Sequence, residues 1–235
     1  MRSRWARPWY AATLVCVLAG VALSVYTASH TAGRFDTPTL RALNTFAFFT
    51  VQSNLLVGIA MVVLLVRPSA SGIGFATLRL TALVSITVTG VVYHVALSSV
   101  FVLSGIDEFG NQLVHTAVPV LAVAGWLLFG PRRLTSARVA WLSLSYPLAW
   151  LVFTLVRGAF VHWYPYPFID VTRIGYAGAL VNCLWVAALF LGLAGVATRL
   201  DRALGTSAGT GAPTPPTSLD TTPADLRRAA SPRVP

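Results

Sequence analysis

Six long apolar stretches, almost free of charge and separated by short arginine-bearing segments, leave this 235-residue chain few ways to fold. An α-helix rises about 1.5 Å per residue and a bilayer core is about 30 Å thick, so roughly 20 apolar residues make one crossing. The stretches predict spans at 9–28, 43–66, 79–103, 111–130, 139–162 and 174–198. The fifth includes Arg157, whose guanidinium must face protein or snorkel to the interface. Composition agrees, with 56% hydrophobic and 10% charged residues where a soluble domain carries about a quarter charged. The expected class is all-α, a polytopic membrane protein folded as a six-transmembrane-helix bundle.

The expected organisation is a short N-terminus over 1–8, a transmembrane domain over 9–200 and a tail over 201–235. The first apolar run follows Arg2, Arg4 and Arg7, as the core of a signal peptide would. It is longer than the usual 7–15 apolar residues and lacks a small-x-small cleavage site, so it is expected to stay as a helix. From Asp201 onward Ser, Thr, Ala, Gly and Pro dominate, a composition that cannot bury enough apolar surface to fold, and disorder is expected there.

Arginine supplies the basic residues and sets the expected orientation. Arg67, Arg79, Arg132, Arg133, Arg138 and the arginines at both ends of the chain fall on one side of the six spans. Only Arg34, Arg41, Arg157 and Arg173 fall on the other. By the positive-inside rule both termini are cytoplasmic, in the cell membrane. The net charge of +10 is therefore dispersed over short loops, which excludes a nucleic-acid face and makes anionic membrane lipids the expected partner. Cys16 and Cys183 sit within spans and are expected to be reduced packing residues. No phosphate-binding glycine loop, dinucleotide fingerprint, serine elbow or metalloprotease pair occurs, and no cofactor is expected.

Given that topology, the intramembrane polar residues fall near one depth, towards the outer side. Thr50 and Asn54 lie roughly 12–18 Å into the second span, Tyr93 and His94 sit at a similar level on the third, and Asn111 and His115 open the fourth. His162 and Tyr164 end the fifth span, Asp170 precedes the sixth, and Asn182 lies about two turns inside it. The cytoplasmic halves are expected to be nearly inert. Polar groups in hydrocarbon face the bundle and find partners, so the layer is either interhelical glue or a site. A convergent set favours the site.

Within FFTVQSN (48–54), the spacing puts Thr50, Ser53 and Asn54 on one helical face. NQLVH (111–115) aligns Asn111 with His115, and Pro119 loosens the helix one turn later. A threonine hydroxyl becomes a nucleophile when a base takes its proton, and histidine is the side chain suited to that near neutrality. Thr50 and His115 form such a pair, with Asn54, Asn111 and His94 as candidate oxyanion donors. FVHWYPYPFID (160–170) reads as an interfacial aromatic belt or a lid carrying His162, Tyr164 and Asp170. His94, His115, His162 and Asp170 lack the spacing of a zinc motif, so no metal is expected.

FFTVQSNLL, NQLVHTAVP and YPYPFID together resemble the prokaryotic six-transmembrane receptor-type membrane proteins. Those bacterial proteins are similar in turn to the eukaryotic androgen-induced-protein-like family. The resemblance covers most of residues 9–198. It implies an intramembrane threonine hydrolase of fatty acid esters of hydroxy fatty acids, with the nucleophile at Thr50 and the histidine at His115. The expected function is lipid-ester hydrolysis. The alternative is a receptor-like or transporter-like protein binding a small amphipathic ligand from the outer leaflet, and no oligomeric state is implied.

Overall fold

The computed structural model describes residues 4–99 and 103–206, and every regular element among them is helical. Six helical stretches are long and apolar enough to cross a membrane. The first is α1 (Ala6–His30). A short helix, α2 (Pro38–Thr45), leads into α3 (Phe49–Val66), the second. The third is α4 (Ile73–Val92), prolonged by a π turn over Tyr93–Leu97. The fourth runs through α5 (Gly105–Gln112), a π turn (Leu113–Ala117) and α6 (Val118–Phe129). The fifth comprises α7 (Ala137–Ser143) and α8 (Ser145–Val161), and the sixth is α9 (Val171–Thr206). The chain is a multi-pass membrane protein.

The third span is central. Over its most apolar window 56% of residues are buried, against 17% for the fifth and sixth, which leave most of their apolar surface for lipid. α1, α3, α4 and α6 pack together around Val17, Val57, Ile86 and Val118, whereas α7 and α9 flank the other side of α4.

The second span departs from the expected 43–66. The helix breaks over 46–48, and only the part from Phe49 crosses. Thr37 and Pro38 start α2, with the Thr37 hydroxyl accepting the Leu40 N–H at 3.2 Å. Side chains take the carbonyls near the break: Gln52 donates to Phe46 at 2.8 Å and Trp150 to Ala47 at 3.0 Å. The break makes Thr50 the second residue of a new helix.

The sixth span continues past the expected end at residue 198, through Asp201 to Thr206, and departs from helical geometry at Gly175 (φ 70°, ψ 166°). Of the expected disordered tail, 201–206 are thus helical, and 207–235 lie outside the described residues, as do 1–3. Asp201 is completely buried, and one of its carboxylate oxygens accepts from the Leu134 and Thr135 N–H groups and the Thr135 hydroxyl, each at 2.9 Å. That bracket ties the end of α9 to the turn before α7. Arg79 is buried at the same end, inside α4 and not in a loop, and donates to the Pro131 carbonyl. This end is therefore not the inert half expected.

Candidate active site

Pro119 shapes the fourth span. In the π turn the Val118 N–H reaches back five residues to the Leu113 carbonyl, leaving the Val114 carbonyl without its usual partner. The next residue able to take that carbonyl would be Pro119, which has no N–H. Asn54, completely buried on α3, fills the gap by donating to the Val114 carbonyl at 3.1 Å and to the Thr50 carbonyl at 2.8 Å. Pro119 and the His115 carbonyl press close on Gly90 of α4, where a Cβ would meet them at 3.2–3.3 Å. The widened turn directs the His115 ring at Thr50.

Thr50 Oγ1 and His115 Nε2 are 3.2 Å apart. His115 Nδ1 lies 3.1 Å from the Asn111 carbonyl, which can only accept, so Nδ1 carries the proton and Nε2 offers a lone pair. The Thr50 hydroxyl then donates to His115. Tyr93 stacks on the imidazole with ring centroids 4.1 Å apart and planes at 22°, and its hydroxyl accepts from the Asn111 amide.

A further group, which the sequence motifs did not single out, completes the cluster. Tyr166 is 7% exposed, and its hydroxyl lies 3.2 Å from Thr50 Oγ1 and accepts the Thr50 N–H at 3.1 Å. That amide belongs to the first turn of α3, whose N–H groups have no helical acceptor. With the Thr50 proton directed to His115, the phenol donates to Thr50 Oγ1. One chain of hydrogen bonds thus runs from Tyr166 through Thr50 and His115 to the Asn111 carbonyl. Burial pushes the Tyr166 phenol above its ordinary value, keeping it a donor. Pro165 and Pro167 hold it, Phe168 stacks on it, and Phe48 meets it edge-on. Its signal was present in YPYPFID, masked by the interfacial aromatics around it.

The other expected site residues divide. Tyr93 and Asn111 support His115, and Asn54 supports the backbone beneath it, so neither amide is directed at Thr50 Oγ1 as an oxyanion donor. His94, itself exposed, turns to the Thr116 hydroxyl at 3.0 Å. His162 ends α8 in the left-handed conformation (φ 50°, ψ 42°), a cap position. Asp170 accepts from the Thr172 N–H and hydroxyl at the start of α9. Asn182 donates to the Phe168 carbonyl at 2.9 Å, steadying the segment that carries Tyr166. Tyr164 is buried against Gly158 of α8. Among the described residues no three His, Cys, Asp or Glu side chains gather as a metal site would require.

Two cavities meet at this cluster. One, about 590 Å³, is a vestibule walled by Thr27, Arg41, Asn44, Asp107 and Asn111. The other, about 250 Å³, is walled almost wholly by apolar side chains of α4, α8 and α9. Thr50, His115, Tyr166 and Leu97 line both. No family model, curated protein or solved structure matches the chain.

Proposed function

We propose that the protein is an intramembrane hydrolase of lipid esters in the cell membrane, with both termini cytoplasmic as the arginine distribution favours. The observation that carries the proposal is the Tyr166–Thr50–His115 chain at the junction of an apolar and a polar cavity. An ester has the same two-sided character, a hydrocarbon chain ending in a polar carbonyl. The resemblance to the threonine-hydrolase families points to fatty acid esters of hydroxy fatty acids.

In the first half-reaction Thr50 Oγ1 bonds to the ester carbonyl carbon as its proton passes to His115 Nε2. The negative carbonyl oxygen is met by the Thr50 N–H and the Tyr166 O–H at the N-terminus of α3, where the helix dipole also favours negative charge. The carbon–alkoxy bond then breaks, His115 returns the proton to the departing oxygen, and the alcohol leaves an acyl-Thr50 ester. In the second half a water from the vestibule gives its proton to His115 and attacks the same carbon. Collapse breaks the bond to Oγ1, which recovers the proton, and the fatty acid leaves. As the oxyanion forms, Tyr166 must release the Thr50 N–H and turn its own O–H from Thr50 Oγ1 to the carbonyl oxygen, a change of two hydrogen bonds.

Turnover of defined lipid esters by protein in lipid nanodiscs tests the proposal. Wild type should hydrolyse them, Thr50→Ala and His115→Ala should lose at least about 10³-fold in rate, and Thr50→Ser should retain a substantial part. Saturable binding of the ester without turnover by wild type would overturn the enzyme reading in favour of a receptor-like role.

A further inference from the structure

The apolar cavity has an unusual position. Its back wall is α4, with Val88 and Val92, and its sides are α8 and α9. These two helices hardly touch along their length; the cavity occupies the space between them. α8 is held instead from the α3 side, where Tyr146 donates to Gln52, Trp150 to the Ala47 carbonyl and Arg157 to Asn44. At the rim, Leu148 of α8 is 58% exposed and Leu191 of α9 is 51% exposed, both within spans that face lipid. The inner end of the cavity is Thr50, His115 and Tyr166.

We infer that this cleft is a lateral port that takes one acyl chain directly from the surrounding bilayer and delivers its carboxyl end to Thr50. Away from its inner end the walls are apolar but for Thr89, too few polar groups to hold water, and apolar cavities stay dry. The medium at its mouth is hydrocarbon, so its occupant is hydrocarbon. From Cys183 to Leu191 at the rim the wall of α9 runs about 12 Å, length for an acyl chain lying along the helix. The vestibule, with Asp107, Asn111 and Arg41 in its walls, is left for water and the polar part of the ester. The port rests on the hydrolase proposal only for what happens at its inner end; chain binding needs no chemistry.

The test uses the full-length protein in phosphatidylcholine nanodiscs with a fatty acid bearing a diazirine near its methyl end, photolysed and mapped by mass spectrometry. Labelling of peptides carrying Leu148, Leu151, Ala187 and Leu191 should saturate and be competed by excess oleate. Labelling at Val95 and Trp185, exposed on the outer surface, should rise without saturation. Ala187→Trp, which fills the cleft, and Leu191→Trp, which plugs its rim, should each lower the saturable component by about tenfold or more. Saturable labelling in a wild type that turns over no ester would sink the hydrolase proposal and keep the port. Ester turnover with only non-saturable labelling between α8 and α9 would overturn the port.

Discussion

The side-chain amide of Asn54 occupies the place in the helical ladder that Pro119 cannot fill, donating at 3.1 Å to the carbonyl of Val114. A proline on one helix and an asparagine on another thereby fix the π turn that aims His115 at Thr50. Asn54→Leu removes the amide from two buried carbonyls and should cost about 1–3 kcal/mol of stability, with ester turnover falling further than the stability loss explains. Thermal unfolding in detergent and turnover at a temperature well below the transition separate the two effects.

Pro119→Ala removes the ring that keeps residue 119 off the His115 carbonyl four residues back and supplies an N–H to bond it. The turn can then relax towards α-helix, and His115 rotates away from Thr50. Turnover should fall by about 10²-fold, the cost of a misplacement near 1 Å, while the melting temperature stays level or rises. A variant less stable but fully active would show that the π turn does not depend on the proline.

Tyr166→Phe keeps the ring between Phe48 and Phe168 and removes only the hydroxyl. The rate should drop by about 10²–10³-fold with little change in substrate binding, the pattern of a donor that acts as charge develops. The phenol adds a pH signature. Burial raises its folded-state value above the ordinary value of about 10, so the folded protein holds this proton when the unfolded chain releases it. The associated stability is complete below pH about 10 and is lost as pH rises through the folded value. Wild type should therefore lose stability above that pH more steeply than Tyr166→Phe in parallel thermal melts.

Much of this was legible in the sequence for a physical reason: hydrocarbon demands about 20 apolar residues per crossing, and that requirement exposes both the spans and any polar residue inside them. Thr50, Asn54, Asn111 and His115 stood out because each is costly in lipid. Tyr166 did not, because a tyrosine near the end of a span is equally at home at the interface. The break before Phe49 was hidden because residues 46–49 are uniformly apolar, and the side chains that take its carbonyls come partly from α8. Arg79 and Asp201 look like loop charges until the fold buries them. His162 and Asp170 are chemically suggestive residues used to finish and start helices.

Gly158→Ala tests the seat of the segment carrying Tyr166. A Cβ there would run into the Tyr164 ring, and overpacking of this kind costs about 1–3 kcal/mol. Displacement of Tyr164 should move Tyr166 as well, lowering turnover. Asp201→Ala, at the far end of the bundle, should cost about 1–3 kcal/mol by leaving the Leu134 and Thr135 amides unmet, with the turnover of the folded fraction unchanged. Thermal melts paired with rates per folded molecule distinguish the two variants.

The central claim, that Thr50 is a nucleophile activated by His115, is tested most directly by locating the adduct of a lipid fluorophosphonate on detergent-solubilised protein by peptide mass spectrometry. The account predicts a single phosphonylated site at Thr50, absent from His115→Ala and from Thr50→Ala. An adduct on another residue, or an unmodified wild type that still hydrolyses lipid esters, would contradict it.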